Sequence, residues 1–421
     1  MSTITHPLAL DSTWRQRART VIPNGMYGHQ SAASLPDGYP QFLERGDGCR
    51  IWDIDGNEYI DFMCSYGPII LGHRHPDVEA AAQRQAAMAD CQNGPSHLVV
   101  ALAEKLVATV SHADWAIFAK NGTDATTMCV TVARATTRKR RVLVATGAYH
   151  GAAPWCTPNP NGTVPEDRAH IGHYGYNDIE SVDRAVTEAG DDLAAIVVSP
   201  FRHDARFDQE LPDPAFARHL RAVCDATGAA LILDDVRCGF RLAYGGSWEP
   251  LGVEPDLSAW SKAIANGYAL AAILGNDRFR PGAERIFVTG SFWFSAVAMA
   301  ASLATLDALA DGGVITMERT GQRLRDGLAA QATAHGLRIN QTGPVQMPML
   351  TFPDDHDFAK ANVFTGEAAR RGVFLHPWHN WFLSTAHTDA DIDQALLATD
   401  EAFAAVSTRF GGTNPSPVRH P

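Results

Sequence analysis

LILDDVRCGFR, residues 231–241, runs three apolar residues into two consecutive acids, Asp234 and Asp235. A short apolar run that ends in acid reads as a buried strand whose carboxyl end carries polar chemistry. Two acids there are costly unless something partners them. A cationic pyridine nitrogen is one such partner and a metal is another. An acid that only caps the next helix would look the same.

The surroundings decide between an isolated strand and a sheet. Comparable runs lie at 115–120 (WAIFAK), 141–147 (RVLVATG), 194–200 (AAIVVSP), 229–235 (AALILDD), 257–261 (LSAWS) and 271–275 (AAILG). Helix-length, alanine-rich segments separate them. This alternation predicts an α/β fold with a mostly parallel sheet covered by helices. In such sheets ligands sit at the carboxyl ends of the strands. Upstream, GCRIWDIDGNEYIDF (48–62) alternates apolar and polar residues around Asp55-Gly56 and predicts a hairpin. Residues 11–22 read as a helix. Downstream of 313 the pattern is a long helix, short strands (PMLTF, VFLHP, WFLST) and a helix from Asp389. The expected division is an N-terminal segment 1–65 that joins the small domain, a large domain 66–310, and a small α+β domain 311–421.

Composition narrows the function. The chain has 421 residues, 45% apolar and 19% charged, as expected of a soluble globular protein. A net charge of -12 speaks against a nucleic-acid partner. No apolar run reaches the ~18 residues of a membrane span, and the first 20 residues do not read as a signal peptide. Seven cysteines without a Cys-x-x-Cys pair suggest reduced thiols and a cytoplasmic location. No metal site is expected.

Three further strand ends carry candidate chemistry. Lys262, in SKAIANG, follows the next strand 28 residues after Asp234. It reads either as a solvated strand-end side chain or as an amine of depressed pKa poised to form an imine. Gly122 and Thr123, between a strand and a helix, offer backbone amides and a hydroxyl to an anion. Tyr149, in AYHG, is placed either to lie on a flat ring or to pack in the core.

Together these segments resemble the class III aminotransferases, pyridoxal-phosphate (PLP) enzymes of fold type I that include glutamate-1-semialdehyde aminomutase. The resemblance covers nearly the whole chain. Its matches are the hairpin, GPIILGHRHPDV (67–78), KNGTDAT (120–126), AYHG (148–151), DDV (234–236), SKAIANG (261–267) and TGSFWFSAVAMAASLATLDAL (289–309). It implies that Lys262 holds PLP as an imine and that Asp234 supports the pyridine nitrogen. Val236 would pack under the ring and Tyr149 over it, with the phosphate on Gly122 and Thr123. Ser291 would reach the phosphate of a neighbouring subunit, so a homodimer is implied. The implied reaction is amino transfer between an amine or amino acid and a carbonyl acceptor. An intramolecular aminomutase, racemase or lyase on the same fold is the alternative.

The departures bear on the substrate. Many members switch between substrates with a Glu–Arg pair. Ser199, in VVSPF, stands where the Glu belongs, and GVFLHPWHNWFLSTAH (372–387) has no arginine. The N-terminal loop NGMYGHQSAAS (24–34) also lacks the aminomutase arginine. His29 and Tyr66 are expected to face the substrate. Arg237 reads either as a substrate clamp or as an ion-pair partner of an acid such as Asp235. Tyr27, Tyr66, Trp155, His203, Phe292, Trp293, Trp378, His379 and Trp381 suggest an aromatic-walled pocket.

Overall fold

The computed structural model describes residues 7–28, 31, 35–36 and 38–411. Its centre is a seven-stranded sheet of β1 (Trp115–Ala119), β2 (Arg141–Ala145), β3 (Ile171–Tyr174), β4 (Leu193–Val198), β5 (Ala230–Asp234), β6 (Leu257–Trp260) and β7 (Ala271–Gly275). Across the sheet the order is β1-β7-β6-β5-β4-β2-β3. Only β7 runs against its neighbours, β1 and β6. The expected α/β fold and mostly parallel sheet are both present.

Strand alternation explains why these runs are apolar throughout. Val142, Val144, Ala195, Val197, Ala230 and Ile232 pack on one face, against Ala125, Cys129 and Val132 of the helix Gly122–Thr137. Leu143, Ile196, Val198, Leu231 and Leu233 pack on the other, against Val182, Phe216 and Leu220. A sheet buried on both faces has no polar side to alternate with. At ~25 cal/mol per Å² of apolar surface removed from water, burial on both faces is the main force holding this layer stack.

β3 (IGHY) escapes a sequence reading because it is a polar edge strand, partly exposed along most of its length. The hairpin around Asp55-Gly56 forms as expected, with strands Arg50–Asp53 and Glu58–Asp61. Asp53 closes its turn by accepting from Asn57 Nδ2 at 2.9 Å and Tyr59 OH at 2.7 Å. The hairpin joins Leu43–Asp47 on one side and Val373–Phe374 on the other. The N-terminal and C-terminal segments therefore share one sheet. The helices Gly313–Ala334, Ala359–Ala369 and Asp389–Phe410 bury Leu324, Phe364, Ile392 and Phe403 behind it.

WFLST (381–385) is not a strand. Its amides bond in turn to Pro348, Phe62, Gln346 and Ile70, so the run threads between elements instead of pairing with one. Its apolar character comes from burial: Trp381 stacks on Phe364 with ring centroids 6.5 Å apart.

Candidate active site

Five strand ends converge on one side of the sheet. β5 ends at Asp234, which is buried. His150 Nδ1, just beyond β2, lies 2.6 Å from Asp234 Oδ2, and the Val236 amide donates to Oδ1 at 3.2 Å. His150 is itself held through its backbone carbonyl, which accepts from Thr126 Oγ1 at 2.7 Å. The imidazole fixes the direction of the carboxylate. Sequence reading passed over His150, whose signal was its place between Tyr149 and Gly151 at a strand end.

Asp235 is directed away from Asp234. It accepts from the Ser247 amide at 3.0 Å and from the Ser247 hydroxyl. Burial pushes its pKa up to about 7. Adjacent acids on one strand thus play different parts: one is braced by His150, and the other is tied into a turn.

Lys262 follows β6 in a left-handed conformation, φ +49°. The Ser261 hydroxyl pins the preceding residue by donating to Leu270 O at 2.9 Å. Among the described residues the Lys262 amine has no hydrogen-bond partner. Burial, and then the nearby Arg237 charge, pull its pKa down to about 7. A lysine that is half neutral near neutral pH is a nucleophile and a base.

β1 leads into Asn121, which shares a capping box with Asp124. A side chain at Gly122 would put Cβ 2.5 Å from Val236 Cγ1, so any larger residue here would force Val236 to shift. Thr123 Oγ1 accepts from the Ala152 amide at 3.1 Å, leaving its own proton to donate. Gly151, at φ +119°, packs so closely that a Cβ would meet Thr123 Oγ1 at 2.6 Å. Tyr149 stays 42% exposed.

These features fit PLP. Lys262 supplies a free amine, Asp234 a braced buried carboxylate, and the Gly122–Thr123–Gly151 crossing a tight cradle. Val236 and Tyr149 supply surfaces for a flat ring.

The opposite wall is built from loops. Tyr66 stands on a turn whose residues Cys64, Ser65 and Tyr66 all have positive φ. Asp61 Oδ1 holds that turn by accepting from the amides of Met63 and Cys64. The Tyr66 ring packs edge-on against His379 at 5.2 Å and His376 at 6.2 Å. Burial holds both His203 and His379 well below the usual imidazole range, so they are neutral. Ser199 is buried, with its hydroxyl unpartnered among the described residues. Arg237 does not pair with Asp235. Its Nη1 donates to His203 O at 3.0 Å and Asn380 Oδ1 at 3.1 Å, because Asp235 is taken by Ser247.

Not every expected pocket residue is here. Trp381 belongs to the core, and Trp155 is hydrogen-bonded to Thr127 on the helix Gly122–Thr137. Ser291 and Phe292 are exposed. His29 lies outside the described residues. A half-open cavity of about 290 Å³ extends from Tyr66 and His376 past Tyr39, Glu44, Arg45 and His73.

The aminotransferase class-III family model matches residues 33–398. The aminopentol aminotransferase of Sphingopyxis macrogoltabida is 49% identical over 405 residues, covering 96% of each chain. A glutamate-1-semialdehyde 2,1-aminomutase of Desulforudis audaxviator is 34% identical, over 92% of this chain and 95% of that one. The solved PLP internal aldimine form of the Sphingopyxis sp. MTA144 FumI protein superposes with a TM-score of 0.94 at 49% identity. That match covers 97% of this chain and 99% of the other.

Proposed function

This chain belongs to the class-III aminotransferases, and on that premise we propose that it takes an amino group from an aminopentol-like amine and passes it to a carbonyl acceptor other than 2-oxoglutarate. It is a PLP-dependent aminotransferase. When bound, PLP supplies a ring that withdraws electrons from the carbon bearing the substrate nitrogen.

The chain's own residues do the rest in this reading. Lys262 anchors the cofactor and moves the proton at that carbon, a task suited to an amine that titrates at about 7. Asp234, aimed by His150, keeps the ring nitrogen protonated through its charge. Gly122 and Thr123 hold the phosphate. Val236 and Tyr149 confine the ring.

The substrate wall carries the specificity argument. Ser199 replaces the acid of the usual switch, and 372–387 offers His376, His379 and Asn380 in place of arginine. The cavity beyond Tyr66 gives a long or bulky amine somewhere to lie. The similarity to the aminopentol enzyme supports an amine donor over an amino dicarboxylate. The aminomutase alternative rests on relatives of lower identity.

We also propose a homodimer in the cytoplasm. Phe287, Phe292 and Phe294 are exposed, as is Met88, and the Asp90–Ser295 hydrogen bond of 2.6 Å ties the two segments together. Exposed aromatics of this kind suit a second copy of the chain, and Ser291 lies between them in the sequence. Light scattering of the holoenzyme tests the dimer: a monomeric mass contradicts it.

The donor test uses holoenzyme mixed with aminopentol, small amines and amino acids, then desalted. Aminated cofactor that persists after desalting is the expected result for amine donors. Return to the starting spectrum on desalting would indicate a mutase or racemase and refute the reading.

A further inference from the structure

We infer that His73 is a positioning residue: through Asp61 it fixes Tyr66 as the partition between the catalytic pocket and the cavity beyond, and so sets how well the site takes a long-chain amine. This rests on the transaminase reading and adds the device by which the same site selects its donor.

The observation is a turn that does not hold itself. Cys64, Ser65 and Tyr66 take φ values of +46°, +55° and +64°, three consecutive side chains in the left-handed region. Residues other than glycine visit that region singly and at a cost, so a run of three needs outside support. Asp61 gives it. Its carboxylate is buried, and Oδ1 accepts from the amides of Met63 at 2.8 Å and Cys64 at 2.9 Å. Oδ2 faces His73 Nε2 at 2.9 Å. A carboxylate only accepts, so the imidazole donates here and fixes the rotation of the acid.

His73 is built as a rigid arm. Its amide donates to Gly48 O at 2.7 Å and its carbonyl accepts from the Gly48 amide at 2.9 Å. Its ring packs on Gly46 of the strand Leu43–Asp47, so closely that a Cβ there would meet His73 Cγ at 2.6 Å. A fixed path therefore runs from this strand through His73 and Asp61 to the turn that carries Tyr66.

Tyr66 belongs to two spaces. Its ring packs edge-on against His379, an imidazole within the field of Lys262. It also lines the cavity of about 290 Å³, together with Asp61, His73 and His376. Leu43, Ile51, Met63 and Phe374 give that cavity apolar walls, which suit the alkyl chain of an amine. A tail lying there packs against Tyr66, and its binding depends on where the ring is held.

Two other His–Asp pairs show the plain structural alternative. His219 pairs with Asp183 at 2.7 Å and His335 with Asp400 at 2.9 Å. In both, the acid stands half-exposed on a helix, and the pair ties one helix to another. Asp61 is 3% exposed and holds a strained turn with one oxygen while His73 holds the other.

The test follows single turnovers of the PLP-loaded enzyme with 2-aminopropane and 2-aminooctane, which share a reacting end and differ in the chain. Wild type should prefer the longer amine. His73→Phe keeps a ring on Gly46 and removes the donor. It should lower that preference about tenfold, by raising the half-saturating concentration of 2-aminooctane with little change in the limiting rate. The cofactor's absorption band should stay in place. His73→Gln, whose amide can reach Asp61, should restore most of the preference. Tyr66→Ala should lose it as well, and adding His73→Phe to Tyr66→Ala should cost nothing more, since residues that act through one another are not additive. His73→Asn, too short to reach Asp61, enters the same comparison if His73→Phe loads no cofactor. A wild type indifferent to chain length, an equal loss for both amines, or losses that add in the double variant would each overturn the inference. Failure of the wild type with every amine would instead strike the transaminase reading itself.

Discussion

The two walls of the active site are built by different means. On the cofactor wall Asp234, His150, Lys262, Gly122 and Thr123 all lie at or just beyond strand ends, and hydrogen bonds of 2.6–3.2 Å brace Asp234, His150 and Thr123. On the substrate wall Tyr66, His203, His379 and Asn380 come from loops, the histidines are held neutral, and Arg237 donates to His203 O and Asn380 Oδ1. A sheet edge fixes chemistry that every substrate shares. Loops can change what is admitted without disturbing it.

The largest effect expected on the cofactor wall is at Lys262. Lys262→Ala should lower turnover by several orders of magnitude, since it removes both anchor and base. Borohydride reduction followed by peptide mapping should then find no adduct on the chain. An adduct on another lysine would dissolve the contrast between the walls, because the chemistry would lie elsewhere.

Asp234 and Asp235 sharpen the comparison within one wall. Asp234→Asn should cost about ten- to a hundredfold in the first half-reaction, through loss of a charged partner. Asp235→Asn should leave the cofactor spectrum nearly intact and lower thermal stability, since its bonds go to Ser247. Reversed effects would mean that the braced acid is not the one that meets the ring.

A smaller effect concerns stability before PLP is added. The Lys262 pKa is about 7 when folded and near 10.5 when unfolded. Between these values the unfolded chain binds more protons, so folding stability rises with pH across the window. Lys262→Met should be more stable than wild type at pH 7, and the gap should narrow as pH climbs towards 10. Melting temperatures of the apo-proteins measure this, because contributions of other groups cancel in the difference. A gap independent of pH would show that the amine is not desolvated.

Much of the cofactor wall was legible because local sequence encodes it. LILDD, SKAIANG and KNGTDAT each carry an apolar strand and the polar residue at its end. The bond from His150 to Asp234 joins residues 84 positions apart, and no local pattern announces it. The substrate wall was legible mainly by what it lacks, the acid at 199 and the arginine in 372–387. The fate of Arg237 was not legible: Asp235 was a plausible partner until Ser247 proved to occupy it. Trp381 failed as a pocket residue for a related reason. An aromatic in a polar loop looks the same whether it faces a ligand or, as here, Phe364 in the core.

The central claim is that a conventional cofactor wall faces a wall that has lost the dicarboxylate grip. Its most direct test is the return of aminated holoenzyme to its visible absorption with 2-oxoglutarate or pyruvate, at equal sub-saturating concentrations. The account predicts that pyruvate reacts at least about tenfold faster, the value of one missing charged contact. Rapid return with micromolar 2-oxoglutarate, matching or exceeding pyruvate, would contradict it.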